Sequence, residues 1–165
     1  MGSAQRCAQH SVQDEGASDR MSALGVLVGD CLGVGAYRRV YALHHLPGHV
    51  LKVEYANSCS FANAMEWETW NELRGTEWES WLAPCLSIDG HGRALVQSRC
   101  EPVPDPTWAA LTEVPAFFSD VAQRNFGLLD GRVVCLDYSL NRLMQRGRSR
   151  VRMVPRPGAS TDKRL

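Results

Sequence analysis

The stretch from Asn125 to Tyr138, NFGLLDGRVVCLDY, leaves its backbone little choice. Asp130-Gly131 is a pair suited to the positive φ angles of a two-residue turn, and apolar runs flank it on both sides. The two arms must fold back on each other. Counting outwards from the turn, Leu129 faces Arg132, Gly127 faces Val134 and Arg124 faces Asp137. The count brings Asn125 and Asp137 out together at the open end of one hairpin.

The chain upstream reads as five more strands around one helix. LGVLVGDCL, from Leu24, predicts a strand broken by glycine. Arg39 to Leu43 follows a glycine turn and predicts a second. HVLKVEY predicts a third, with Val50, Lys52 and Glu54 on one face and Leu51, Val53 and Tyr55 on the other. SFANAMEWETWNELRG has helical spacing, with Glu66, Trp70 and Leu73 along one line, a cap expected at Asn57 or Ser58 and an end at Gly75. CLSI and RALVQSR predict a hairpin about Asp89-Gly90-His91-Gly92. EPVPDP reads as an extended connector, residues 107–113 as a short helix, and 116–124 as a helical turn or two.

Composition sets few limits. The chain has 165 residues, 44% of them hydrophobic, which suits one domain. Its 18 basic and 18 acidic residues cancel, but they are not mixed evenly. From Arg142 onward there are eight Lys or Arg against the single acid Asp162, so an acidic body carries a basic tail. The six cysteines include no CxxC pair, which argues against a zinc site or a disulfide framework and for reduced thiols in a cytoplasm. His44, His45 and His49 flank Pro47-Gly48 and read as a polar loop. No run approaches the roughly 20 apolar residues of a membrane span, and no secretory leader is expected, since the first twenty residues lack an apolar run. Residues 1–22 read as a disordered segment, 23–100 as a strand-rich unit, 101–145 as a second unit holding the hairpin, and 146–165 as a basic tail.

Several polar residues fall at the edges of these elements in a telling order. Gly33 and Gly35 in LGVGAYRRVY would let backbone N–H groups approach a phosphate with no Cβ in the way. Lys52 on a strand, held by Glu66 on a packed helix, would present a fixed cation. Asn125 and Asp137 offer hard oxygens at one place, as magnesium requires. Asp120, five residues before Asn125, is a carboxylate within reach of a hydroxyl nucleophile.

This order resembles the protein-kinase signature set. LGVGAYRRV resembles the kinase glycine loop, VLKVE the lysine-bearing strand, DVAQRN the catalytic loop and LDYS the Asp-Phe-Gly segment. NAMEWETWNEL, WLAPC and FFSDVAQRNFGLLDGRVVCLDYS are more narrowly similar to the short kinase-like proteins encoded by tailed bacteriophages. The resemblance covers about residues 26 to 142. It implies an α+β, protein-kinase-like fold, with a five-stranded antiparallel N-lobe sheet carrying one helix and a strongly reduced C-lobe containing the hairpin. It implies binding of ATP and Mg2+ and transfer of the γ-phosphate to an acceptor. Gly33, Gly35 and Val40 would cover the nucleotide, and Lys52 would contact its phosphates and pair with Glu66. Asp120 would be the catalytic base, Asn125 and Asp137 the magnesium ligands, and Ser98 to Glu101 the segment that meets adenine.

The departures are specific. Arg38 stands at the third glycine of the loop, Phe118 and Ser119 precede Asp120 in place of His and Arg, Ala122 stands at a usual lysine, and Ser139 at the last glycine of Asp-Phe-Gly. Set against the resemblance, the stretch after Asp137 is expected to be too short for an activation segment or substrate-docking helices. Three functions are therefore carried forward: a minimal phosphotransferase acting on a protein, on a small molecule or on itself; a kinase-shaped module without useful catalysis that binds a host or viral protein; and nucleic-acid binding by the tail, where Arg146, Arg148, Arg150 and Arg152 alternate. So small a body is also expected to gain stability from a partner or as a homo-oligomer. A membrane partner is not expected, and the expected location is cytoplasmic, in a host cell if phage-encoded.

Overall fold

The computed structural model describes residues 26–143, 147 and 151–159. The segment 1–22 read as disordered, Cys7, and the arginines 146, 148 and 150 lie outside the described residues. No helix among the described residues is long and apolar enough to cross a membrane.

The protein is α+β. Five antiparallel strands form the main sheet: β1 (Val28–Val34), β2 (Arg38–Leu43), β3 (His49–Glu54), β4 (Cys85–Ile88) and β5 (Ala94–Ser98), in the order β1-β2-β3-β5-β4. The alternation read in HVLKVEY appears here, because Val50, Lys52 and Glu54 are buried and the residues between them are less so. That inner face is covered by helix α1 (Ala62–Leu73), which buries Ala62, Asn63, Glu66, Thr69, Trp70 and Leu73. Three of the inward residues on strand and helix are thus ionisable: Lys52, Glu54 and Glu66.

The cap of α1 differs from the expectation. Neither Asn57 nor Ser58 caps it, and the N-cap residue is Phe61, left-handed at φ 50° and without a side-chain cap bond. The acceptor comes from β3 instead, where the Glu54 carboxylate takes the Asn63 N–H at 2.7 Å. A cap supplied across the fold ties the helix to the sheet, which a local Ser would not do. At the other end Gly75 has φ +76°, as expected of a residue that stops a helix.

Beyond β5 the elements are short. β6 (Glu101–Pro102) pairs with β8 (Phe126–Leu129), and β8 pairs with β9 (Arg132–Cys135). Helix α2 (Asp105–Ala110) begins and ends earlier than the 107–113 expected, since Pro104 and Asp105-Pro106 suit a helix start. Residues 113–115 form β7 (Glu113–Pro115). No helical turn forms in 116–122, and 123–125 make a single 3-10 turn.

The hairpin has the predicted register, with Leu129 opposite Arg132 and Gly127 opposite Val134. Asp130 and Gly131 both have positive φ, at 50° and 75°. The ladder stops at Phe126 opposite Cys135, so Arg124 does not face Asp137. The 3-10 turn bends the first arm away, and the last link is the Asn125 carbonyl accepting the Leu136 N–H at 2.7 Å.

The far end of the basic tail is not a free chain. β10 (Met153–Pro155) pairs with β7, and Arg156 is buried with its guanidinium 4.5 Å from the Trp108 ring. One hydrophobic cluster joins both halves of the protein. It runs from Trp70, Leu73 and Leu95 to Phe117, Phe118, Phe126 and Tyr138. Cys85 and Cys135 are buried in it, and burial pushes the Cys85 thiol up to about 11. Cys31 and Cys59, by contrast, are exposed.

Candidate functional site

A cleft of about 500 Å³ separates the main sheet from the β8–β9 hairpin. That volume suits a small-molecule ligand. Its walls include Gly33, Gly35, Arg38, Val40, Lys52, Glu101, Asn125 and Asp137. Most of the residues singled out in the sequence therefore meet on one surface, although they come from β1, β2, β3, the 99–102 connector and both arms of the hairpin.

Lys52 lies at the bottom of this cleft. Its ammonium donates to Glu66 Oε2 at 2.8 Å and to the Leu136 carbonyl at 2.6 Å. An ammonium has three donors, so one remains. Glu66 has no solvent exposure and is bonded on both oxygens, with Oε1 accepting from Arg38 at 2.5 Å and from the Tyr138 N–H at 3.3 Å. Burial lowers the Lys52 ammonium from its ordinary value; the Glu66 charge opposes this, and the Arg38 charge adds to it. Such a group holds its place through Glu66, not by solvation.

Arg38 is the residue the sequence reading missed. It stood there only as a departure from a glycine. In the structure it is buried and bonds Asn63 Oδ1 at 2.9 Å, Glu66 at 2.5 Å and Asp137 Oδ1 at 3.2 Å. The sequence did hold a signal. Val40 pairs with Lys52 and Arg38 with Glu54, so strand alternation from Val40 sends Arg38 to the same inner face as Lys52.

Asp137 has a side chain 51% exposed, open to the cleft. Burial would raise its carboxyl, but the charges of Arg38 and Lys52 and the Ser139 hydroxyl, 3.0 Å away, hold it below its ordinary value. The next residue, Tyr138, is locked in the core, with its hydroxyl donating to the Ala83 carbonyl at 2.8 Å. Asn125 donates from Nδ2 to the Asp120 carbonyl at 3.3 Å, and its Oδ1 makes no bond to another described residue.

Asp120 does not join the cleft wall. Its side chain is 56% exposed and pairs with Arg124 at 3.3 Å, one helical turn along in sequence, while Arg124 itself lines the cleft. Gly33 and Gly35 do line it. Neither has positive φ, and a Cβ at Gly33 would meet nothing within 4 Å. The fold makes no demand for glycine at 33, so the open space there is available to a ligand. Among the described residues no three His, Cys, Asp or Glu side chains cluster as a ready-made metal site. The cleft thus presents a spare Lys52 donor, open space beside Gly33 and the half-exposed Asp137 carboxylate.

No protein-family model matches the chain, and a search of curated proteins finds no match.

Proposed function

We propose that the protein binds Mg-ATP in this cleft and transfers the γ-phosphate to an acceptor hydroxyl, as a minimal kinase-like enzyme. The main support is the buried Lys52–Glu66 pair, 2.8 Å long, beneath a cleft that also holds Gly33, Gly35, Asn125 and Asp137. In this reading the five-stranded sheet with α1 is the N-lobe, and the hairpin with its short neighbouring strands is the reduced C-lobe.

Lys52 would hold the inner phosphates, kept in place by Glu66. Gly33 and Gly35 would admit the phosphate chain against their backbone, Val40 would pack on the nucleotide, and the backbone near Glu101 would meet the base. Asn125 and Asp137 would hold Mg2+, which would neutralise charge on the phosphates. Asp120 would accept the acceptor's proton after parting from Arg124. The acceptor oxygen bonds phosphorus as the bond from the γ-phosphorus to the leaving oxygen breaks, and ADP departs with that electron pair. Protein, small molecule and self remain the candidate acceptors.

The test is magnesium-dependent ATP turnover by the full chain, with Lys52→Ala and Asp137→Ala alongside. The reading expects wild-type turnover and its loss in both variants; equal rates in all three would reject it.

Two observations favour a second reading, in which the protein is a kinase-shaped module that binds a partner protein and keeps its cleft without useful catalysis. Arg38 occupies Asp137, and Arg124 occupies Asp120. A melting temperature raised by ATP together with undetectable turnover would select this reading.

A further inference from the structure

We propose that the Gln97 amide oxygen reads the base of the bound nucleotide, accepting a hydrogen bond from an exocyclic amino group and so admitting ATP in preference to triphosphates whose base carries a carbonyl oxygen there. The inference rests on the nucleotide reading above and concerns the same cleft.

Position comes first. Gln97 pairs with Val50 across the sheet, and Leu95 pairs with Lys52. Gln97 therefore shares the inner face with Lys52 and lies two residues, or about 7 Å, further along the strand direction. That places it between the phosphate end of the cleft and the 99–102 connector that continues from β5. It lines the cleft although the residue is only 1% exposed.

The amide also has a fixed direction. Tyr138 donates its hydroxyl to the Ala83 carbonyl at 2.8 Å, so the phenol oxygen is left as an acceptor. Gln97 Nε2 donates to that oxygen at 3.3 Å and to the Ala83 carbonyl at 3.4 Å. Cys85, 3.0 Å from the phenol oxygen, offers it the thiol proton, and burial keeps thiol and phenol protonated. Turning the amide over would set Oε1 against a carbonyl and against a phenol whose proton is already committed. Nε2 is therefore held inward. Oε1 makes no hydrogen bond to another described residue, yet among the described residues no fully buried side-chain oxygen lacks a partner. The acceptor is thus open, and the cleft is the space that Gln97 borders.

So dry an acceptor selects for a donor. The 6-amino group of adenine supplies one. The 6-carbonyl oxygen of guanine or hypoxanthine would set acceptor against acceptor, and the bonds on Nε2 keep the amide from turning to suit it. Sites built on such a bond reject the analogue that lacks it, because the buried polar atom is then left unpaired.

The experiment is calorimetric titration of the full wild-type chain with ATP and with ITP, both in magnesium chloride, repeated with Gln97→Met. ITP has the same sugar and phosphates and a carbonyl oxygen in place of the amino group, so phosphate and metal contacts cancel in the ratio of constants. Gln97→Met keeps the length of the side chain, and Tyr138 and Ala83 can still bond each other. The expected result is that wild type binds ATP about tenfold or more tightly than ITP, and that this ratio shrinks about fivefold or more in Gln97→Met, mainly through weaker ATP binding. Equal constants in wild type, or tighter binding of ITP, overturn the inference and leave the nucleotide reading standing. No binding of either nucleotide overturns both. An unchanged ratio in Gln97→Met, whether or not its melting temperature falls, shows the base to be read by the backbone alone and also overturns the inference. Should Gln97→Met not fold, Gln97→Asn, which draws the acceptor back by one methylene, must narrow the ratio in its place, and a wild-type ratio there counts against the proposal.

Discussion

Glu66 is the residue on which the site's charges converge. It is fully buried, and it pairs with Lys52 through one oxygen and with Arg38 through the other. Removing one partner of a buried pair leaves the other charge without compensation, at a cost of about 3–5 kcal/mol. The two ends of the Lys52–Glu66 pair are not equivalent, however. Lys52→Met leaves Glu66 with Arg38, so its cost should fall below about 3 kcal/mol. Glu66→Gln strands Lys52 and leaves Arg38 only the half-exposed Asp137 as an ion-pair partner, so it should cost more than Lys52→Met. Urea unfolding of the two variants checks the order, and a reversed order would mean that Arg38 does not share the charge. Asp137 gives a pH test at the same scale. Its folded pKa lies below the ordinary 3.8, so on acidification the unfolded chain takes up the proton first. The stability it contributes is present above about pH 4 and is lost as pH falls through the folded value. The acid limb of a stability–pH curve should therefore be shallower in Asp137→Asn than in wild type.

At the level of elements, Gly127 in β8 controls how closely the hairpin approaches the connector that walls the cleft. A Cβ there would sit 2.6 Å from the Cys100 Cβ and 3.1 Å from the Glu101 carbonyl oxygen. Neither atom is the free end of a flexible side chain, so β6 would have to move off β8. Gly127→Ala is expected to lower the melting temperature and, if the cleft binds ATP as proposed, to weaken that binding, because Cys100, Glu101 and Pro102 shift with it. Calorimetry and titration on one sample check both effects, and an unchanged ATP constant in a destabilised variant would detach the connector from the site. The hairpin itself could be read from sequence because Asp130-Gly131 encodes its own backbone angles. The alternation of β3 could be read for a similar reason, since burial follows a period of two along the strand. The cap of α1 could not, because its acceptor is Glu54, nine residues earlier and on another element. Arg38 was half legible. Its face follows from strand alternation, but its partners Glu66 and Asp137 lie 28 and 99 residues away, and no local pattern spans that distance.

On the scale of the whole molecule, the C-terminal strand decides how the basic tail can be tested. β10 covers β7, and Arg156 lies over Trp108 while donating to the Leu111 carbonyl at 2.6 Å. Trp108 in turn packs at a tilt against Phe126, the first residue of β8, with ring centroids 5.2 Å apart. The segment 153–156 is thus continuous in packing with the hairpin that carries Asn125 and Asp137. Deleting everything after residue 142 would remove the tail arginines and this brace together, and a lost nucleic-acid gel shift would then have two explanations. Substituting Arg146, Arg148 and Arg150 by Gln while keeping 151–159 separates them. If the tail binds nucleic acid, that triple variant should keep the wild-type melting temperature, lose the shift and show a flatter dependence on salt. Arg156→Ala should do the reverse. It should keep the shift but lower the melting temperature by several degrees, as expected for about 1–3 kcal/mol of lost buried hydrogen bonding in a domain of this size. If Arg156→Ala melts like the wild type, β10 is not a brace, and the two halves of the cleft are joined by the shared core alone.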